Sequence, residues 1–319
     1  MGQSTPRKQL YLPSKGADLQ LQGVFSVLPT PFLEGGALDL ESLRRVVDLY
    51  IAAGVNGLTA LGVTSEVARL TEAERATVLD AVLDQVKGRV PVVAGTSAEG
   101  QALCIEYSRN AHKAGASAVM VSPPRMPKLN SEAVVKHYAA LAAAVDIPIV
   151  IQDYPPVSGY AMEPALLARI AREVPAASAI KLEDPPTPFK TARILQAAAG
   201  MQINILGGLG GVFLLEELMA GAAGVMTGFA YPEILVAVVK RYRAGDVDGA
   251  AQLFYGKVAL MRFEFQEGIG MSIRKEMLRR RGVLSSNAIR PPGALLDSGT
   301  TRALDKILQW AGLDSDVAS

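Results

Sequence analysis

Residues 90–122 read VPVVAGTSAEGQALCIEYSRNAHKAGASAVMVS, and this stretch predicts the fold. It contains an apolar strand (Val90–Gly95), a polar break, a helical stretch (Gly100–Ala114) and a second apolar strand (Ala118–Ser122). Gly115 follows the helix, where a left-handed C-terminal cap favours glycine. Neither strand alternates apolar with polar residues, which is typical of parallel strands covered on both faces by helices. The stretch therefore predicts one strand–helix–strand unit of a parallel sheet.

The same unit recurs along the chain from Gly23 onward. The predicted strands are Val24–Leu28, Gly57–Leu61, Val90–Gly95, Ala118–Ser122, Pro148–Gln152, Ala179–Leu182, Ile203–Gly207 and Gly224–Thr227. The predicted helices are Leu40–Ala53, Glu72–Val86, Gly100–Ala114, Ser131–Val145, Pro164–Val174, Phe189–Ala199, Phe213–Ala220 and Pro232–Arg243. Eight such units predict an α/β fold, a closed (β/α)8 TIM barrel. An open doubly wound sheet is the alternative, but no GxGxxG motif follows the first strand.

The segments flanking the barrel differ in character. Residues 1–22 are interpreted as a loosely ordered N-terminal extension, residues 23–243 as the barrel, and residues 244–319 as a C-terminal helical region. Within that last region, helices are predicted over Asp246–Phe265, Met271–Arg281 and Thr301–Ala311, with no strand between them. We expect these helices to pack as an appendage on the barrel or on a neighbouring subunit.

Composition excludes several classes of function. The formal net charge is +1 over 319 residues, so we expect no nucleic-acid or membrane partner. The single cysteine, Cys104, excludes an internal disulfide, and with only His112 and His137 we expect no metal site. All three of these residues fall within predicted helices, where a structural role is favoured. The first twenty residues lack a continuous apolar segment, so we expect a cytoplasmic protein.

Lys181 is the main candidate for chemistry. Active sites of (β/α)8 barrels lie at the C-terminal ends of the strands, and Lys181 follows Ser178-Ala179-Ile180 at such an end. Apolar surroundings disfavour the ammonium form, which favours a neutral amine able to attack a carbonyl. The alternative is a structural lysine paired with Glu183 or Asp184.

Other strand ends supply candidate binding groups. The turn Gly62–Glu66 presents Thr64, Ser65 and several backbone N–H groups, a combination that binds carboxylates, although either hydroxyl is also a candidate helix cap. Gly208, within Gly207–Gly211, allows a ligand to approach the backbone closely, or serves only a tight turn. Thr227 ends the last strand and is a further candidate contact with substrate.

The end of the fifth strand reads Gln152-Asp153-Tyr154-Pro155. Asp153 and Tyr154 are candidates for general acid–base chemistry, whereas Tyr154 beside proline is alternatively only a turn residue. Arg125, after the fourth strand, is a candidate contact for the distal part of a substrate, or a surface arginine. Gln152 is a candidate substrate contact.

Several of these motifs together resemble the dihydrodipicolinate synthase / N-acetylneuraminate lyase family. The resemblance extends from Gly23 to Trp310. In the first part of the chain it rests on the motifs G-x-x-x-x-x-x-T-P-F (Gly23–Phe32), A-G-V-x-G-L (Ala53–Leu58) and G-x-T-x-E (Gly62–Glu66), the last followed by L-T-x-x-E-R. Further along it rests on V-P-V-V-A-G-T (Val90–Thr96), A-G-A-x-A-V-M-V-S-P-P (Ala114–Pro124) and A-I-K (Ala179–Lys181). It implies a class I lyase or aldolase that joins Lys181 to pyruvate or a related 2-oxo acid as an imine. It also implies a homotetramer, no cofactor, and a carboxylate-binding role for Thr64.

The chain departs from the family pattern at positions that contact substrate. Val63 and Ser65 replace a threonine and a glycine of the usual G-T-T-G-E turn. Pro124-Arg125 occupy the place of a tyrosine after the fourth strand. Gln152 falls on the tyrosine that acts as acid and base, and Val157 on the synthases' arginine for a distal carboxylate. Dihydrodipicolinate synthase activity itself is therefore not expected.

We interpret the sequence as a Schiff-base lyase or aldolase for a small 2-oxo acid. Lys181 forms the imine, Thr64 and Ser65 hold the carboxylate, and Tyr154, ahead of Asp153, replaces the missing tyrosine. One alternative is a 2-keto-3-deoxy sugar-acid dehydratase that uses the same imine. Another is a non-catalytic small-molecule-binding barrel. A phosphosugar enzyme is less favoured, because no basic residue lies in Gly207–Gly211 or Gly224–Tyr231.

Overall fold

Eight parallel strands close into a barrel in which each strand pairs with its neighbours in chain order and β8 pairs with β1. The computed structural model describes residues 19–177 and 179–313. The strands are β1 (Gly23–Val27), β2 (Gly57–Ala60), β3 (Val92–Gly95), β4 (Ala118–Val121), β5 (Ile149–Asp153), β6 (Ala179–Leu182), β7 (Asn204–Gly207) and β8 (Gly224–Thr227). The predicted TIM barrel is confirmed. Ser178 and most of the predicted N-terminal extension lie outside the described residues.

Helices follow the strands and form the outer layer. They are α1 (Leu40–Ala52), α2 (Glu72–Val86), α3 (Gln101–Ala114), α4 (Ser131–Ala142), α5 (Pro155–Ser158), α6 (Pro164–Glu173), α7 (Thr187–Ala197), α8 (Leu214–Met219) and α9 (Pro232–Arg243). Short 3-10 turns occupy Val63–Ser65, Val67–Arg69, Pro175–Ala177 and Leu209–Gly211. The short α5 was not expected from the sequence. Its first turn begins with Pro155, whose missing N–H would have no partner there in any case.

Local chemistry explains where individual helices begin and end. Thr71 and Glu74 form a reciprocal capping box at the start of α2, so each side chain satisfies a backbone N–H that the helix leaves free. Gly115 ends α3 with φ 108°, a left-handed conformation that glycine adopts without steric cost. Short-range signals of this kind allow the ends of the helices to be predicted from the sequence.

The barrel buries two separate apolar layers. Side chains including Phe25, Val93, Met120, Val150 and Met226 fill its interior. The alternate residues of each strand point outward and pack against the helices in the larger core. Both faces of each strand are therefore buried, and the side-chain direction at a strand end decides whether a residue reaches the mouth of the barrel.

Three more helices complete the described chain, namely α10 (Val247–Glu264), α11 (Gly270–Arg280) and α12 (Ser298–Trp310). No strand lies between them, as the sequence predicts. The loop after α11 also reaches the barrel, where Arg290 forms a 2.5 Å ion pair with Glu74. No helix of residues 19–177 or 179–313 is long and apolar enough to cross a membrane.

Candidate active site

Lys181 lies inside the mouth of the barrel. It follows Ala179 by two residues on β6, and the methyl group of Ala179 belongs to the interior apolar layer, so both side chains point inward. Only 3% of Lys181 is exposed. Its Nζ lies 3.1 Å from Oε2 of Glu183. The lysine is thus held at the predicted strand end, with a carboxylate as its immediate partner.

A hydrogen-bonded chain extends from this pair across three neighbouring strands. Gln152 on β5 donates from Nε2 to Oε2 of Glu183 at 2.8 Å. The other end of the same amide accepts a hydrogen bond from the hydroxyl of Ser122, beyond β4, at 3.1 Å. Because both ends of the amide are bonded, its orientation is fixed, and so is the carboxylate beside Lys181.

Gly208 makes room for that carboxylate. A Cβ atom at this position would lie 2.3 Å from Cγ of Glu183 and 2.9 Å from its Oε1, well inside van der Waals contact. The close approach expected at Gly208 is therefore made, in this structure, by a side chain of the same protein. Any larger residue would displace Glu183 from Lys181.

The turn Gly62–Glu66 lies above the end of β2. The hydroxyl of Ser65 donates to the carbonyl of Leu28 at 2.5 Å and accepts from the N–H of Gly62 at 3.1 Å. Ser65 is only 1% exposed, so its side chain shapes the turn rather than facing the cavity. The turn ends at Glu66, whose φ of 56° is left-handed.

Thr64 and Tyr154 line a cavity of about 320 Å³ at the mouth of the barrel, referred to below as the mouth cavity. Its opposite wall comes from the C-terminal region and includes Glu267 and Met271. Burial, and then the negative charges of Glu183 and Glu267, raise the pKa of the Tyr154 phenol. Tyr154 is therefore a protonated hydrogen-bond donor at neutral pH.

Asp153 does not share the face of Lys181. Val150 on the same strand points into the barrel, so alternation turns Gln152 inward and Asp153 outward, toward the helices. There Asp153 is fully buried and accepts from Nζ of Lys190 at 2.6 Å. Burial raises its pKa to about 6, against the opposing effect of Lys190. The expected acid–base role of Asp153 has no geometric support.

Thr227 and Arg125 also lie away from Lys181. Met226 fills the barrel interior, so Thr227 beside it points to the outer face, close to Gly211. Arg125 is exposed, and its side chain lies against Gly159. It makes no ion pair within the described part of the chain. Neither position supports the substrate contact expected from the sequence.

Helix α11 of the C-terminal region contacts the turn Gly62–Glu66 through Lys275. Nζ of Lys275 lies 2.5 Å from Oε1 of Glu66, whose Oε2 accepts from Arg69 at 2.6 Å. The same amine donates to the carbonyl of Ala288 at 2.9 Å and lies 4.4 Å from the centre of the Phe32 ring. Lys275 is completely buried, and burial lowers its pKa to about 8.

The sequence did not lead us to predict a site role for three residues of this arrangement, namely Ser122, Glu183 and Lys275. For Glu183 a signal existed, because Lys181 and Glu183 are two residues apart and therefore share one face of an extended chain. Lys275 offered no local signal, since its partner Glu66 lies more than 200 residues away in the chain.

Comparison with known proteins identifies relatives over nearly the whole chain. The chain is 33% identical over 304 residues to an L-2-keto-3-deoxyarabonate dehydratase of Azospirillum brasilense, covering 91% of this chain and 97% of the relative. It is 35% identical to a 4-hydroxy-tetrahydrodipicolinate synthase of Pelobacter propionicus, covering 92% and 99%. Among solved structures, dihydrodipicolinate synthase from Rhodopseudomonas palustris superimposes with a TM-score of 0.85 at 36% identity, covering 91% and 97%.

A prophage protein of E. coli K12, belonging to the dihydrodipicolinic acid synthase family and solved in complex with pyruvate, superimposes with a TM-score of 0.86 at 26% identity, covering 92% of this chain and 99% of that one. Fold and site together define a (β/α)8 barrel enzyme of the lyase and aldolase class. The family model of the dihydrodipicolinate synthetase family matches residues 20–311, and the chain belongs to that family.

Proposed function

We propose that this enzyme forms an imine between Lys181 and a 2-oxo acid, and that it dehydrates a 2-keto-3-deoxy sugar acid. The observation that carries the proposal is the 3.1 Å contact between the amine of Lys181 and the carboxylate of Glu183, deep in the barrel mouth. This pair supplies both a nucleophile and a proton acceptor at one point. The similarity to a dehydratase acting on L-2-keto-3-deoxyarabonate supports the reaction class.

Imine formation uses the pair directly. Transfer of one proton from Lys181 to Glu183 leaves a neutral amine, which attacks the substrate carbonyl at C2, and an amine proton moves to the carbonyl oxygen. The resulting hydroxyl leaves as water with the proton held by Glu183. The product is a protonated imine beside a regenerated carboxylate.

Dehydration then follows from the positive imine, which stabilises negative charge at C3. Glu183 takes a proton from C3, and the electron pair forms an enamine. The C4–oxygen bond breaks as the electrons return, and the hydroxyl leaves as water with the proton that Glu183 has just taken. Hydrolysis of the imine releases the product and restores Lys181.

The neighbouring residues take supporting roles in this scheme. Thr64, whose hydroxyl makes no hydrogen bond within residues 19–177 and 179–313, binds the substrate carboxylate together with N–H groups of the turn that Ser65 shapes. Gln152 has no proton to exchange near neutral pH and holds Glu183 in place. Tyr154 donates a hydrogen bond to the hydroxylated tail of the substrate in the mouth cavity.

Aldol cleavage is the second candidate, because the relatives include a 4-hydroxy-tetrahydrodipicolinate synthase at 35% identity. It uses the same imine, but the base takes the proton of the C4 hydroxyl as the C3–C4 bond breaks. The base then returns that proton to C3 of the enamine, and hydrolysis of the imine follows. The two reactions differ in product, since dehydration yields water and a 2-oxo acid with the full carbon chain, whereas cleavage yields pyruvate and an aldehyde.

The imine is tested by intact mass spectrometry after borohydride reduction with pyruvate, 2-oxobutanoate and a 2-keto-3-deoxypentonate. We expect a covalent adduct that maps to Lys181 and is absent from Lys181→Met, with Lys113→Met, a surface variant, as the control. Product analysis with the pentonate then separates water loss from aldehyde release. A folded enzyme that forms no adduct with any of these acids would refute the proposal.

Tyr154→Phe tests the assignment of the phenol. Loss of one hydrogen bond to the tail is expected to raise KM by about tenfold while the adduct with pyruvate, which has no tail, forms as before. Unchanged turnover and KM with the pentonate would remove Tyr154 from the site.

We also propose that the protein is cytoplasmic, as the polar first twenty residues suggest, and that it is a homo-oligomer, as the resemblance implies. Phe189 and Met219 support it, because they expose 58% and 63% of their surface on the outer helices α7 and α8. Sedimentation of the purified protein, compared with a Phe189→Ser variant, would measure the assembly.

A further inference from the structure

The buried contact between α11 and the turn Gly62–Glu66 has no part in the chemistry described above. Lys275 is 0% exposed and Glu66 is 4% exposed, yet both carry ionisable groups. Burying a charged pair costs desolvation energy that its mutual attraction often fails to exceed, so such a pair is poor evidence for stability alone. Its position suggests another purpose.

The amine of Lys275 has one polar contact with the turn and one within the C-terminal region. Its amine meets Glu66 at 2.5 Å and the carbonyl of Ala288 at 2.9 Å. Glu66 in turn adopts a left-handed backbone conformation that is unfavourable for a residue with a side chain, so the turn needs an external restraint to keep this shape. Lys275 supplies that restraint from α11, while Arg69, three residues along the same loop, pairs with the other carboxylate oxygen.

We propose that Lys275 is a positioning residue for substrate binding, which holds the turn Gly62–Glu66 in the shape that presents Thr64 and the backbone N–H groups to the substrate carboxylate. Lys275 touches no substrate and acts only through Glu66. The inference rests on the proposed function, because it assumes that a 2-oxo acid binds at this turn. It predicts that loss of Lys275 weakens binding of the carboxylate much more than it slows the chemistry at Lys181.

The first test measures KM and kcat for Lys275→Met. We expect KM to rise by about tenfold to a hundredfold, the value of one charge-assisted hydrogen bond, while kcat at saturation stays within about threefold. The matched control is Arg280→Met on the same helix, which loses ion pairs to Glu276 and Asp305 but does not reach the turn. Its KM is expected to stay at the wild-type value.

Instability of Lys275→Met is separated from positioning by the double variant Glu66→Gln/Lys275→Met. Neutralising both partners removes the penalty of an unpaired buried charge, so the melting temperature should recover toward wild type. If KM remains high in this stable double variant, positioning is supported. If KM returns to the wild-type value together with stability, the contact is merely structural and the inference is wrong.

A pH profile gives an independent readout. The charged groups that face the amine are Glu66 and, further away, Arg69 and Arg290. As pH rises through about 8, the amine loses its proton and its charge-assisted bond to Glu66, so KM of the wild type should increase there. Lys275→Arg, which keeps its charge, should lose that increase, and an unaltered profile would contradict the inference.

The borohydride adduct distinguishes the two proposals. Absence of any wild-type adduct with pyruvate would refute the imine mechanism itself. A normal wild-type adduct, together with an unchanged pyruvate concentration for half-maximal trapping in Lys275→Met, would refute only the role of Lys275.

Discussion

A glutamine cannot exchange protons near neutral pH, whereas a carboxylate held beside an amine can. At the end of β5, Gln152 lies where the resemblance places a tyrosine, and its amide donates to Glu183 at 2.8 Å. In the proposed mechanism the proton-transfer group is Glu183, which directly follows β6, the strand that carries Lys181. On that proposal, a member of the family can lack the tyrosine and still have an acid–base group beside the lysine.

Replacing Glu183 tests that explanation. Glu183→Gln keeps the size of the side chain but removes the proton acceptor, so kcat should fall by roughly a hundredfold to ten-thousandfold. Steady-state kinetics with the sugar acid would measure the loss. Asp184→Asn is the matched control, because the adjacent carboxylate bonds Lys190 instead of Lys181, and its kcat should stay within about threefold of wild type. Equal losses in both variants would contradict the role of Glu183.

At the scale of the element, the sequence of a parallel strand buried on both faces does not indicate which side chains point into the barrel and which point toward the helices. The eight strands and their order could be predicted from continuous apolar runs and helix-ending glycines, as at Gly115. The facing of Gln152 and Asp153 could not, because both faces of β5 are apolar and the hydrophobic pattern does not distinguish inside from outside. Lys181 was placed correctly at its strand end because position along a strand is readable even where facing is not.

The outward direction of Asp153 leads to a prediction about stability. Asp153→Asn removes one of the two carboxylates that hold Lys190, so the free energy of unfolding should fall by about 1–3 kcal/mol. Activity should persist, since the side chain lies on the opposite face of β5 from Gln152. Urea unfolding and kcat measured on the same preparation would check both statements. A large loss of kcat in a stable variant would return Asp153 to the site.

At the scale of the whole molecule, the contacts that complete the site join distant parts of the chain. Arg290 bonds Glu74, and Lys275 bonds Glu66, each across about two hundred residues. No periodicity or local motif predicts such a pair, because it depends on where α11 packs. The barrel was therefore predictable from sequence, while the wall of the mouth cavity that the C-terminal region supplies was not.

The stability of the whole molecule should depend on pH through Glu217. This residue on α8 is 1% exposed, and burial raises its pKa to about 7, opposed by a 2.6 Å hydrogen bond from Thr187. A raised carboxyl pKa means that the folded state binds the proton more tightly, so the stabilisation is complete below about pH 4.5 and is lost as pH rises through 7.

Glu217→Gln stays neutral and still accepts the hydrogen bond from Thr187, so it should abolish that loss. The melting temperature of the variant is expected to exceed that of the wild type at pH 8 to 9 and to match it near pH 4. The difference corresponds to a free energy on the order of 3 kcal/mol. Melting curves of both proteins at both pH values would test this. An equal difference in melting temperature at the two pH values would mean that Glu217 does not titrate in this range, and the prediction would be wrong.

The contact between Lys275 and Glu66 also has a consequence for the newly made chain. A ribosome releases the barrel strands first, and Lys275 emerges only after all eight of them. Until then the turn Gly62–Glu66 lacks its restraint from α11, so on the proposed function a growing chain would bind the carboxylate of a 2-oxo acid only weakly. On the proposed function, full affinity for the substrate carboxylate would therefore arise only after α11 has been made and has packed against the turn.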